Sequence, residues 1–232
     1  MEIVDIFCSV SGAHLNQRKC MTLVLNDHLD PDDVEAGDLL NILPSGEPAK
    51  YLGVLFGHFQ VQILRDKFLA AFPLWGGRAR TLQGRKLLVS TMLLSMLWHV
   101  STAVPIPQHI VDEMQSMTNK FILGRKTLRA DKFRAYLNRP MQFDKTLGLG
   151  IPHIASIIRQ QRLVRLQQLM ANPRSDGTPS WRPLVQRQFG RVMGQLYRDD
   201  YPLYFLLYFP NTSSRWIALY ELHPLWRDVW KH

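Results

Sequence analysis

The chain has 232 residues, 46% hydrophobic and 20% charged, a balance that supports a packed core and is that of a globular chain rather than a disordered one. Its formal net charge of +9 is unevenly placed: residues 1–50 hold nine acids and three bases, residues 51–232 ten acids and 25 bases. A surface that attracts phosphate backbones is therefore expected after Tyr51, not before it.

In chain order, Glu2 to Val10 reads as the end of an amphipathic helix, with Ile3, Val4, Ile6, Phe7 and Val10 at helical spacing and Ser11-Gly12 as its stop. Lys19 to Leu25 reads as an apolar strand. Asn26 to Pro48 is acidic and rich in Pro and Gly, a loop with room for one short strand at Leu39–Leu43. Tyr51 to Phe56, YLGVLF, is predicted as a second clear strand.

The period then changes. Val61, Leu64, Phe68, Leu69 and Phe72 predict a helix interrupted at Pro73. Thr81 to Val104 predicts one long helix, and Pro107 to Leu123 another with Ile110, Met114, Met117, Phe121 and Ile122 on one face. A basic connector follows, RKTLRADKFRAYLNRP, then the glycine-rich turn LGLGIP. His153 to Ala171 predicts a helix whose Arg159, Arg162 and Arg165 form a solvated side opposite the leucines. Residues 172–179 are a polar break, and the remainder is aromatic and irregular up to a last helix ending HPLWRDVWKH.

Leu87 to Val104 is 18 residues long and mostly apolar, but Ser90, Thr91, Ser95, His99, Ser101 and Thr102 mark it as a buried helix and not a membrane span. The acidic, mixed opening residues predict no signal peptide. Cys8 and Cys20 offer no disulfide framework, which fits a reducing compartment, nucleus or cytoplasm.

Three stretches in order carry a resemblance. SGAHLNQRKC (Ser11–Cys20) follows a short helix, KYLGVLFG covers Lys50–Gly57, and TLQGRKLLVSTMLLSMLWH covers Thr81–His99 with Trp75 and Arg78 ahead of it. A fourth, LGLGIPHI, covers Leu147–Ile154. Together they resemble the region after the catalytic hairpin in reverse transcriptases of non-LTR, LINE-type retrotransposons. That family has an F…SG..LN..K helix-to-strand passage, a primer-gripping strand, a W..R..SL.GR thumb helix and a GGLGIP turn.

The resemblance implies roles. Lys19 matches the lysine proposed to protonate leaving pyrophosphate, work that needs a group within hydrogen-bond reach; an ordinary strand-edge lysine is the plainer reading. Tyr51, Leu52 and Gly53 match the primer grip, where a residue without Cβ lets a nucleic-acid strand come close, although a glycine at a bulge reads the same. Arg78, Arg80, Arg85 and Lys86 surround the start of the thumb-like helix, where they could hold phosphates or form a solvated basic turn.

The family's polymerisation uses two metal ions, Mg2+ expected, held by aspartates that include a Tyr-x-Asp-Asp hairpin upstream of SG..LN..K. That hairpin is not among these residues. Tyr197-Arg198-Asp199-Asp200 imitates it on the wrong side of the thumb motif and reads as a helix end or turn. Asp27, Asp30, Asp32 and Asp33 lack the glycine and distal glutamate of a calcium loop, and the eight histidines show no paired metal spacing.

The expectation is an α+β chain, predominantly α. Residues 1–58 would be a palm remnant with a two- to three-stranded antiparallel sheet. Residues 59–126 would be a thumb-like helical domain within a bundle of about five helices, and residues 127–232 a basic connection and aromatic helical tail. Two apolar strands cannot bury both faces unaided, so a larger sheet is implied. The expected function is template-primer binding, RNA or DNA, without polymerase chemistry, with no catalytic residue beyond Lys19 and no bound cofactor. Its partners would be that nucleic acid and the rest of the palm, and no membrane. The alternative is a stand-alone basic helical binding or interaction domain using Trp181, Tyr201, Tyr204, Phe205, Trp216, Trp226 and Trp230.

Overall fold

The computed structural model describes residues 2–12, 49–51, 54–56, 60–170, 181–197 and 222–231, and these are predominantly helical. The chain divides into two compact units, Met1–Gln60 and Val61–His232.

In the first unit, α1 runs Glu2–Ser11, ending as expected before Gly12. Strands β1 (Ala49–Tyr51) and β2 (Val54–Phe56) pair antiparallel, Ala49 with Phe56, Lys50 with Leu55 and Tyr51 with Val54. This corrects the expectation of one strand over Tyr51–Phe56: the chain reverses between Tyr51 and Val54. Glycine inside a strand weakens it, and a two-residue connection with glycine is the common way to fold a strand back. The expected strands Lys19–Leu25 and Leu39–Leu43 lie outside the described residues.

In the second unit, α2 spans Gln60–Gly76 and runs through Pro73, beyond the expected stop. Proline removes one amide hydrogen bond. Phe68 and Phe72, both fully buried and edge-to-face at 5.2 Å, hold the helix in place across that loss. Next come α3 (Leu82–Leu88), a wide π-turn (Val89–Leu93) and α4 (Leu94–Ser101), in place of one uniform helix. The Thr91 hydroxyl donates to the Leu87 carbonyl at 2.8 Å, competing for the acceptor a regular turn would use. The Leu94 amide reaches back five residues to Val89.

Helix α5 (Gln108–Gly124) buries Ile110, Met114, Met117, Phe121 and Ile122, the face the periodicity selects. It ends on Arg125 in the left-handed region, φ +53°. The connector contains one short helix, α6 (Arg139–Phe143). The turn after it depends on two glycines. A Cβ on Gly148 would fall 2.1 Å from the Met141 carbonyl oxygen, and Gly150 has φ +55°.

Helix α7 spans Ile154–Met170, α8 Arg182–Tyr197 and α9 Pro224–Lys231. α8 corrects the irregular reading of this stretch: Val185, Phe189 and Val192, spaced four and three apart, are buried. They form a core with Leu169, Leu222, Trp226, Val229 and Trp230. A second correction concerns Arg162. It is fully buried, not solvated; its Nε donates to Asp228 Oδ2 of α9 at 2.7 Å, and its other nitrogens to the carbonyls of Ser101 and Val104. The series Arg159, Arg162, Arg165 spans too wide an arc to share one environment. No helix among the described residues is long and apolar enough to cross a membrane.

Candidate nucleic-acid interface

The four basic residues around the start of α3 do not act alike. Thr81 caps the helix: its hydroxyl oxygen accepts from the Gly84 amide at 3.0 Å. Just before it, Arg78 lays its guanidinium over the Trp75 ring, 4.5 Å from the ring centre, a geometry that fixes a cation without neutralising it. Arg78 and Arg80 are exposed. With Trp75, Thr81, Leu87 and Met92 they line an open groove of about 550 Å³. Leu87 and Met92 are exposed apolar side chains along it. The groove thus combines a basic rim, an aromatic ring and an apolar wall. That set suits a nucleic-acid backbone, with phosphates on the arginines and sugars or bases against the apolar side.

Arg85 lies elsewhere. It is only 7% exposed, and its Nε and Nη1 take no acceptor among the described residues. Burial, then the like charge of Arg125, lowers its pKa. It is not available to an extended backbone on the Arg78–Arg80 side. Lys86 is half-buried and donates from Nζ to the Leu149 carbonyl at 3.0 Å, tying α3 to the glycine turn. The structure therefore brings Arg78 and Arg80 together and separates Arg85 and Lys86 from them. Sequence spacing could not make that distinction, although Trp75 was visible as a motif residue.

Tyr51 ends β1 opposite Val54. Lys19, Leu52 and Gly53 lie outside the described residues, as do Arg198, Asp199 and Asp200. The stretch before them, Phe189–Tyr197, is helical, not the strand that leads into a catalytic hairpin. Among the described residues no three His, Cys, Asp or Glu side chains come close enough to hold a metal ion.

A second cavity, about 270 Å³, lies beside α5 and α6. Its amide side chains are engaged with one another and with backbone. Gln115 donates to Asn119 and to the Pro152 carbonyl, Asn119 to Gln142, and Gln142 to the Leu137 carbonyl. That satisfied chain is scaffolding. His153 borders it, edge-to-face on Phe143 at 4.6 Å. Burial first, then the charges of Arg159 and Arg139, lowers its pKa. The unfolded chain therefore takes up this proton before the folded one does. Neutral His153 contributes stability that is complete above the ordinary imidazole range near 6.5 and is lost as pH falls below it. His153→Gln is expected to flatten the decline of melting temperature between about pH 7 and pH 5; an unchanged slope would assign that decline to other groups.

No family model, curated protein or solved structure matches the chain.

Proposed function

We propose that the chain is part of a LINE-type reverse transcriptase, covering the end of the palm, the thumb and the connection, and that these residues bind template-primer without carrying out nucleotidyl transfer. The observation that carries the reading is the groove at the start of α3: Trp75, Arg78, Arg80 and Thr81, residues in and just before the thumb-like motif, line one surface with both guanidiniums exposed. In this reading β1 and β2 belong to a palm sheet whose other strands lie outside the described residues, and the helices from α2 onward form the thumb and connection. Nucleotidyl transfer with Mg2+ would depend on an aspartate hairpin that these residues do not include.

The test is fluorescence anisotropy on a labelled RNA–DNA primer-template hybrid across a salt series. Arg78→Gln with Arg80→Gln is expected to weaken binding roughly tenfold and to reduce the salt slope by about two, one for each phosphate no longer neutralised. An unchanged slope would remove the groove from the interface. Primer extension with Mg2+ or Mn2+ is expected to give no product; incorporation abolished by Asp199→Asn would overturn the reading.

The alternative, a stand-alone interaction domain with an aromatic partner surface, is weakened at three residues. Trp226 and Trp230 are buried, and Trp181 packs 5.1 Å from Trp226 with Arg165 over its ring at 5.7 Å. Tyr201, Tyr204, Phe205 and Trp216 lie outside the described residues.

A further inference from the structure

We propose that the connector Lys132–Tyr136 binds single-stranded nucleic acid, with Lys132 and Arg134 on consecutive phosphates and the Tyr136 ring as a platform for one base. The surface is separate from the groove at α3, and the inference does not depend on polymerase ancestry.

Charge is the first observation. Residues 125–145 hold seven bases and two acids. Both acids serve local turns. Asp131 Oδ2 accepts from the amides of Thr127 and Leu128 at 3.2 and 3.1 Å. Asp144 Oδ1 accepts from the Thr146 amide and hydroxyl at 2.7 Å each, and from the Leu147 amide at 3.2 Å. Neither carboxylate forms an ion pair with a base of the connector. Lys132, Arg134 and Arg139 are exposed and make no ion pair with any described residue.

The second observation is alternation. Asp131, Phe133 and Ala135 are half-buried, while Lys132, Arg134 and Tyr136 are exposed. Period-two exposure over Asp131–Ala135 is that of an extended run, which sets every second side chain on one side about 6.6 Å apart, and Tyr136 stands at the bend that ends it. An extended single strand repeats its phosphates at a similar interval. Phe133 anchors the inner side: its ring is so close to Gly124 that a Cβ there would fall 2.5 Å from Cδ2. The outward side chains are thus carried on a tethered stretch of backbone.

The third observation is Tyr136 itself, 99% exposed. A ring that contributes nothing to the core and stands beside two cations has the chemistry of a stacking platform, because every base offers a π-face. Paired bases within a duplex are stacked on each other and leave that ring no partner, so the occupant is a single strand.

The experiment compares a labelled twelve-nucleotide thymidine strand with an abasic strand of the same length, by anisotropy on the full chain. The wild type is expected to favour the base-bearing strand about tenfold. Tyr136→Ala is expected to bring that ratio near one and Tyr136→Trp to keep it; because the side chain touches solvent alone, both variants are expected to melt like the wild type. Lys132→Gln with Arg134→Gln is expected to weaken both strands equally and to lower the salt slope. Equal wild-type affinity for the two strands, a preference for duplex, or a base preference that survives Tyr136→Ala would each overturn the proposal. Weakened hybrid binding in the Arg78→Gln, Arg80→Gln protein, with its Tyr136-dependent single-strand ratio intact, would separate the two surfaces.

Discussion

Arg162→Met is expected to lower the melting temperature by roughly 10 °C. The guanidinium is fully buried and joins three parts of the second unit: α7, which carries it; the end of α4, through the carbonyls of Ser101 and Val104; and α9, through Asp228. Methionine keeps most of the stem's volume, so the substitution reads the charge and hydrogen bonds, not a cavity. It removes the cation from Asp228 and leaves two inward-facing carbonyl oxygens without this donor. Breaking one side of a buried pair costs about 3–5 kcal/mol, and a unit of this size loses about 2–4 °C per kcal/mol. Arg162→Lys is expected to fall between the two, since one ammonium cannot span three acceptors. Scanning calorimetry decides the matter: a methionine variant melting within about 2 °C of wild type would show that the connection is incidental.

Phe121→Ala is expected to destabilise the second unit by about 3–5 kcal/mol. Phe121 is fully buried on α5 and meets Phe72 of α2 edge-to-face at 5.4 Å, while Phe72 meets Phe68 in the same manner. The alanine variant loses the ring's transfer free energy and opens a void against a backbone already close, since a Cβ built on Gly76 would stand 3.7 Å from the Phe121 ring. The check is urea unfolding, where the midpoint should fall with the slope unchanged. A shift below about 1 kcal/mol would mean that α2 and α5 re-pack freely around the smaller side chain.

Where one helix face decides everything, the sequence could be read. Ile110, Met114, Met117 and Phe121 mark α5 by spacing alone, and they are its buried face. Where the outcome depends on distant partners, it could not. Arg162 looks like its neighbours Arg159 and Arg165, and only distant partners, the carbonyls of Ser101 and Val104 and a carboxylate 66 residues later, explain its burial. α8 was hidden because Gly190, Gly194 and several polar residues dilute the period that Val185, Phe189 and Val192 maintain. The fold-back between Tyr51 and Val54 was hidden by a continuous apolar run whose single glycine reads equally as bulge or turn. At the candidate site, the motif located the basic cluster, but exposure separated Arg78 and Arg80 from Arg85 and Lys86. That sorting follows from position: Arg78 and Arg80 precede α3, whereas Arg85 lies on its buried side and Lys86 is received by the glycine turn.

The wide turn at Val89–Leu93 explains a rhythm in the residues around it. Arg85, Val89, Leu93, Leu97 and Ser101 are all buried, one every four positions. At about 100° per residue, an ideal helix carries each successive member of such a series about 40° further round, so a straight rod would turn the last of them away from the core. A turn closed by a five-residue reach takes up more residues per revolution and sets the angle back. The π-turn works as a phase correction: it keeps a four-residue repeat aimed one way for the length of the rod. It also delivers the Ser101 carbonyl to Arg162 at the far end, so that an irregularity at one turn sets the alignment of a hydrogen bond further along the same rod.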